Sequence, residues 1–220
     1  MKKELKHFYI GDSYGGNQDW FLTFMMRIGG CAVETVCDLS VYFAKHYGKW
    51  NLYPYSLDPV DRKEYVRYAH HVKPYIGPRP RGVDKLETYV DGISRYFHDR
   101  EEAELKVAPF SGEEPYSAAA AAVRNQIDGN YPIPCLILKH RNPLMDDYVW
   151  HWFLLNGYEI NEGQMKVRAV TYSNWEWLDF ATLWDTGYSE KGGLILLSGL
   201  NEDERMYAGE TPAEGGSSPR

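Results

Sequence analysis

The hydrophobic pattern of the chain changes near residue 130, and this change constrains the fold more than any other feature. Upstream, apolar residues recur at helical spacing, whereas downstream segments read mostly as strands. The pattern predicts helices over 31–47, from 58 to about 72, over about 84–100 and after residue 115, and strands over 105–110, 133–139, 148–158, 165–172 and 194–198, with a short helix over 177–184. Helices first and strands second indicate an α+β fold rather than alternating βαβ units.

The length and composition fit one sizeable domain. The chain has 220 residues, of which 44% are hydrophobic and 25% charged, so it can bury a substantial core. We expect a single domain over residues 1–200, in which residues 50–130 form a largely helical insertion or subdomain. Residues 201–220 are polar, and we expect this tail to be disordered. The 18 tyrosines indicate either an aromatic groove or a tyrosine-rich core.

Charge and composition disfavour several classes of partner. The net charge is −7 and no run of basic residues exceeds Lys2-Lys3, so we expect no nucleic-acid partner. No apolar run approaches the ~18–20 residues that span a bilayer, and the N-terminus lacks the apolar stretch of a secretory signal. We therefore expect no membrane partner. Three cysteines are too few for a disulfide scaffold and indicate a reduced, cytoplasmic protein.

Cofactor motifs are missing from the sequence, and we expect neither a metal nor an organic cofactor. No two histidines stand at i, i+4 with a glutamate between them, and no aspartate-rich calcium loop occurs. The glycine-rich segment over 11–16 matches neither GxGxxG nor GxxxxGK[ST]. A flexible loop explains that segment better than a nucleotide site does.

Cys31 is the strongest candidate nucleophile, because it opens the predicted helix over 31–47 directly behind Gly29-Gly30. The positive end of the helix dipole favours thiolate over thiol, and exposed amides at this point can stabilise an oxyanion. The alternative is that Cys31 packs as a small apolar residue, as free cysteines often do.

Three polar residues are candidate partners of this thiol. His151 lies early in an otherwise apolar strand, where it is either a satisfied core residue or a base at the edge of the sheet. Gln18, 13 residues before Cys31, has a side-chain amide that can donate to an oxyanion. Asn174 follows the next strand, where its carboxamide can accept from the imidazole and hold its tautomer.

The order of these residues resembles that of papain-like cysteine peptidases, and in particular of the C39-like branch. Gly29-Gly30-Cys31-Ala32 resembles the nucleophile segment of that branch, and the strand His151-Trp-Phe-Leu-Leu-Asn-Gly-Tyr158 resembles its HWVVVTGY strand. The resemblance covers about 11–47, 148–160 and 166–198. It implies a papain-like fold in which an N-terminal helical half, with a buried nucleophile helix, packs on a C-terminal antiparallel sheet.

The resemblance also implies catalytic roles for four residues. Cys31 would be the nucleophile, His151 the general base, Asn174 the orienting residue and Gln18 the oxyanion donor. The sequence departs from the family at Cys31-Ala-Val, where Cys-Gly-Pro is typical. Because Asn174 stands after Ser173 rather than before a Ser-Trp pair, the orienting residue can also be Ser173 or Asp179.

The implied activity is hydrolysis of an amide bond in a peptide or a small amide, through a thioester acyl-enzyme. Two alternatives remain open from the sequence. One is a catalytically silent binding or structural module on the same scaffold. The other is a different acyl-transfer enzyme, such as an amidase, a deamidase or a transglutaminase-like protein. The sequence predicts no oligomeric state.

Overall fold

A computed structural model describes residues 1–79 and 82–200, and the tail expected over 201–220 lies outside them. Five of the six described α-helices precede residue 130, and all pairs of described strands are antiparallel, which confirms the α+β class. The helices are α1 (Phe24–Gly29), α2 (Cys31–Tyr47), α3 (Arg62–Ile76), α4 (Leu86–Asp99), α5 (Tyr116–Asp128) and α6 (Phe180–Trp184). None of the described helices combines the length and the apolar character needed to cross a membrane.

Helix α2 forms the centre of the helical half. Its apolar residues follow helical spacing, and Gly48 ends it in the left-handed conformation with φ of 65°. Both ends of α2 coincide with the predicted range. Fourteen of its 17 residues are buried, so α2 has almost no solvent-exposed face. It packs against α3 on one side and the sheet on another.

Helix α3 differs from its prediction at both ends. It begins at Arg62 rather than at 58, because the side chain of Asp61 caps it by accepting the backbone N–H groups of Lys63 and Glu64. It also continues through Pro74 to Ile76. A proline in the last turn removes only one backbone donor near the end of the helix, so the helix does not have to stop before it.

One seven-stranded sheet forms the other layer. The described strands are β1 (Lys2–Glu4), β2 (Tyr9–Ile10), β3 (Ser13–Tyr14), β4 (Lys106–Ser111), β5 (Ile133–Ile137), β6 (His151–Asn161), β7 (Gln164–Thr171), β8 (Asn174–Asp179) and β9 (Gly193–Ser198). The order in the sheet is β4-β9-β5-β6-β7-β8, and β1 pairs with the second half of β6. Strands β2 and β3 form a separate hairpin. Helix α2 contacts the sheet at β6.

The tyrosines contribute mainly to the core of the helical half. Tyr53, Tyr65, Tyr68, Tyr89 and Tyr96 are among the largest fully buried side chains. Several of their hydroxyls have partners, as buried phenols require. The hydroxyl of Tyr96, for example, donates to the carbonyl of Leu52 at 2.8 Å.

Candidate active site

Cys31 is the first residue of α2, and the glycine before it allows the abrupt turn from α1. A Cβ atom on Gly30 would lie 2.2 Å from the carbonyl oxygen of Met26, so only glycine fits there without a backbone shift. A Cβ atom on Gly29 would lie 3.4 Å from Pro78, which is ordinary contact. The two glycines therefore differ in role. Only at Gly30 does the backbone come so close to another chain segment that a side chain would not fit.

The Cys31 thiol lies among backbone amides but is largely withdrawn from water. The N–H groups of Trp152, Ala32 and Cys31 itself point to the sulfur and favour the thiolate. Burial acts in the opposite direction and is the larger effect, and with the nearby Glu34 carboxyl it raises the pKa of the thiol to about 11. The amides lower the pKa of the thiol, as expected at a helix N-terminus, but desolvation raises it by more. At neutral pH the thiol is therefore protonated.

His151 is the first residue of β6 and is 3% exposed. Its Nε2 atom lies 2.6 Å from Oγ1 of Thr171, the last residue of β7. The ring of Tyr172 stacks on the imidazole with a centroid distance of 4.7 Å and an interplanar angle of 2°. Burial lowers the pKa of the imidazole to about 4. His151 is therefore neutral at physiological pH.

Cys31 lies beside the backbone of the residue that follows His151 in β6. The thiol contacts the backbone amide of Trp152, the residue directly after His151. Burial, the Glu34 carboxyl and then the Cys31 thiol raise the pKa of Tyr172, whose ring stacks on the imidazole. The hydrogen bond described for the ring is made with Thr171 rather than with the thiol.

Gln18 lies beside α2, and its polar groups are engaged away from the thiol. Its backbone N–H donates to Oε2 of Glu34 at 2.9 Å, and its Nε2 donates to the carbonyl of Arg27 at 2.9 Å. Its Oε1 atom is buried without a hydrogen-bond partner among the described residues. In this arrangement the side-chain amide of Gln18 ties the segment before α1 to the end of α1.

None of the three candidates for the orienting residue is the described partner of the His151 ring. Asn174 is exposed, and its Oδ1 accepts the backbone N–H of Trp175. Asp179 caps α6 by accepting the N–H of Thr182 at 2.7 Å. Ser173 lies in the turn between β7 and β8, where its backbone N–H donates to Gly16. The ring is held instead by Thr171 and Tyr172.

A cavity of about 500 Å³ opens beside the thiol. Most of its lining residues are apolar, and the two charged ones have opposite signs. The lining consists of Met25, Ile28, Gly29, Cys31, Pro78, Arg79, Gly82, Val83, Asp84, Leu136, Trp150 and Trp152. Two of the apolar side chains, Met25 and Ile28, are largely exposed where α1 borders the cavity. The cavity can take a bulky, uncharged group next to the sulfur.

The sequence reasoning missed Thr171, Tyr172 and Glu34. Thr171 and Tyr172 end the strand predicted over 165–172, and their nearness to His151 follows only from the pairing of β6 with β7. Glu34 lies one turn after Cys31 on the predicted helix, so its nearness to the thiol could have been read from the i, i+3 spacing. Burial raises the pKa of the Glu34 carboxyl well above its usual range, and the neighbouring Asp38 raises it further.

Comparison with known proteins supplies no family. No protein-family model, no curated protein and no solved structure matches the chain. Among residues 1–79 and 82–200, no group of three or more His, Cys, Asp or Glu side chains is arranged to hold a metal ion.

Proposed function

We propose that this protein is a papain-like thiol hydrolase of the C39-like kind, which cleaves an amide bond through a thioester on Cys31. One observation carries the proposal. The thiol at the start of the buried helix α2 lies against the backbone amide of Trp152, the residue after His151, and lines a cavity. The packing of a helical half on an antiparallel sheet, with the thiol on a helix and the imidazole on a strand, agrees with the papain-like arrangement.

The reaction begins from a neutral thiol and a neutral imidazole. As the sulfur attacks the amide carbonyl, a C–S bond forms, the carbonyl becomes an oxyanion, and the thiol proton passes to the imidazole. Because Nε2 of His151 is engaged by Thr171, the proton is taken up at Nδ1. The imidazolium then protonates the leaving nitrogen, the C–N bond breaks, and the amine departs. Water, with His151 as base, cleaves the thioester and restores the thiol.

Backbone amides at the start of α2 are the best placed donors to the oxyanion. The N–H groups of Cys31 and Ala32 already lie beside the sulfur, at the positive end of the helix dipole. Gln18 donates its side-chain amide to Arg27, so this residue contributes to the oxyanion only if that bond is exchanged for one to substrate.

The lining of the cavity favours a substrate with an apolar group next to the scissile bond. Met25, Ile28, Val83, Leu136 and Trp152 are among its apolar lining residues. Burying an apolar group against such a wall contributes roughly 25 cal/mol per Å². A charged group entering the same cavity would meet only Arg79 and Asp84, which have opposite signs, among mostly apolar residues.

The test is acylation and turnover of an apolar activated ester, p-nitrophenyl phenylacetate, together with the matching anilide. We expect wild-type protein to release nitrophenol and to carry a phenylacetyl thioester on Cys31, detected by mass spectrometry. Replacing Cys31 by Ala should abolish both signals, and replacing His151 by Ala should lower kcat/KM by ~10²–10⁴. The double variant should lose little more, because the two residues act as a unit.

Cys37→Ala is the matched control, because it removes a fully buried sulfur from the same helix. Its rate should stay close to that of wild type. Equal rates for wild type and Cys31→Ala would refute the proposal.

The second candidate is a catalytically silent binding module. It is favoured by the raised pKa of the thiol and by the engagement of the His151 ring with Thr171. The absence of any acyl-enzyme with the ester, while the uncharged phenylacetamide still binds at the cavity, would select this candidate.

A further inference from the structure

The turn between β7 and β8 has an unfavourable backbone conformation. Its two central residues, Tyr172 and Ser173, have φ of 50° and 64°, in the left-handed region. Two-residue hairpin turns of this kind prefer Asn and Gly, which adopt positive φ at little cost. Tyrosine is among the residues that the left-handed region disfavours. Its presence in the turn calls for a compensating contact elsewhere.

The compensating contacts are made with the imidazole of His151. The turn directs the ring of Tyr172 onto the imidazole, nearly parallel at 4.7 Å, while Oγ1 of the preceding Thr171 lies 2.6 Å from Nε2. Trp150, directly before His151, also has a positive φ of 54°. Strained residues therefore occur on both chain segments that meet at the imidazole. Such clustering is common where a reactive group has to be held in one orientation.

Hydrogen bonds through segment 14–16 connect the turn between β7 and β8 to α2, the helix that carries the thiol. The N–H of Ser173 donates to the carbonyl of Gly16 at 3.0 Å, and the carbonyl of Ser173 accepts the N–H of Tyr14 at 2.9 Å. Gly16 in turn donates its N–H to the carboxylate of Asp38 on α2, at 3.1 and 3.2 Å from the two oxygens. A Cβ atom on Gly16 would lie 2.0 Å from the hydroxyl of Tyr65, so only glycine fits this connection.

We infer that Thr171 and Tyr172 are positioning residues for the imidazole, and that segment 14–16 couples their turn to α2. The inference rests on the proposed function, since it assigns how the base of that reaction is oriented. Thr171 takes the place that the family resemblance gives to Asn174. It acts through His151 and does not touch substrate.

A threonine hydroxyl can donate as well as accept, and the inference assigns Oγ1 of Thr171 as the acceptor of the Nε2–H of His151. When Nε2–H donates to Oγ1, the lone pair of Nδ1 remains available for the thiol proton. Without that acceptor, the neutral ring divides between its two tautomers, and the Nδ1–H form cannot act as the base. Stacking on Tyr172 fixes the plane of the ring, so both contacts are needed for one defined orientation.

The first test replaces Thr171 by Val, which keeps the shape and removes the hydroxyl, and by Ser, which restores it. Thr88→Val, on α4, is the matched control. We expect the valine variant to lower kcat/KM about 10–100-fold through kcat, with serine recovering most of the loss. In ¹⁵N NMR spectra, the Nε2–H form should predominate in wild type and the serine variant, and should lose that predominance in the valine variant.

The NMR readout separates this inference from the proposed function. If wild type and Cys31→Ala are equally inactive, the hydrolase proposal fails, while the tautomer shift still tests the role of Thr171. An Nε2–H population in Thr171→Val equal to that in Thr88→Val would overturn the inference.

The second test uses the strain at Tyr172. Tyr172→Asn suits positive φ but removes the stacked ring, so we expect a higher Tm together with a lower kcat. Tyr172→Phe keeps the ring and should retain the activity. A residue with only a structural role would lose stability and activity together, and a lower Tm with unchanged kcat in the Asn variant would overturn the inference.

Discussion

The ionisation of Cys31 gives the sharpest prediction, because the helix N-terminus and the burial of the thiol act in opposite directions. Burial places the pKa at about 11, against an ordinary value of 9.0 for a cysteine thiol. At pH 8 this leaves about 0.1% of the thiol ionised instead of roughly 10%, and two pKa units correspond to about 3 kcal/mol. Alkylation by iodoacetamide at pH 8 should therefore be ~100-fold slower than that of an unperturbed thiol.

The assay is alkylation of the folded protein between pH 7 and 9.5, quenched in acid and followed by peptide mass spectrometry. Cys37 and Cys135 are fully buried and serve as internal controls, since they should react only after unfolding. The rate at Cys31 should rise about tenfold per pH unit throughout this range. A plateau below pH 8 would show a preformed thiolate and would refute the reasoning from burial. His151→Asn should leave the profile unchanged, because the imidazole is already neutral in this range.

Two further predictions concern stability. His151 ionises near pH 4 in the folded protein against 6.5 ordinarily, so the unfolded state takes up its proton first and stability is lost as pH falls from 6.5 to 4. Urea titrations should show up to about 3 kcal/mol of this loss in wild type and a smaller loss in His151→Asn, and equal slopes would contradict it. Gly30→Ala should lower stability by about 1–3 kcal/mol, because its Cβ would meet the carbonyl of Met26 at 2.2 Å. Gly29→Ala, with 3.4 Å to Pro78, is the control and should change Tm little.

The elements with a strong periodic signal are those that the sequence predicts well. Helix α2 follows its apolar spacing from Cys31 to the left-handed Gly48. Strand β8 was missed, because Asn174, Trp175 and Glu176 are all exposed and show no alternation of buried and exposed positions. The predicted helix over 177–184 accordingly begins only at Phe180, where Asp179 provides the cap.

Part of the candidate site could likewise be predicted from the sequence, and part could not. The sequence predicts Cys31 and His151 as candidates, because Cys31 begins a helix and His151 is a polar residue in an apolar strand. The partner of the imidazole could not be predicted, because it depends on where β7 ends relative to β6. A hydroxyl at Thr171 reaches the ring in this register, whereas the carboxamide of Asn174 lies beyond the turn.

The burial of both groups decides which mechanism the pair can support. Desolvation raises the pKa of the Cys31 thiol to about 11 and lowers that of the His151 imidazole to about 4, so a resting thiolate–imidazolium pair is strongly disfavoured. In the proposed reaction, charge would then develop only as the C–S bond forms, when the negative charge moves to the carbonyl oxygen and the amides at the start of α2 can stabilise it. For such a reaction the orientation of the neutral imidazole matters more than its charge. This gives a physical reason for the contacts that Thr171, at the end of β7, and Tyr172, in the strained turn, make with the ring.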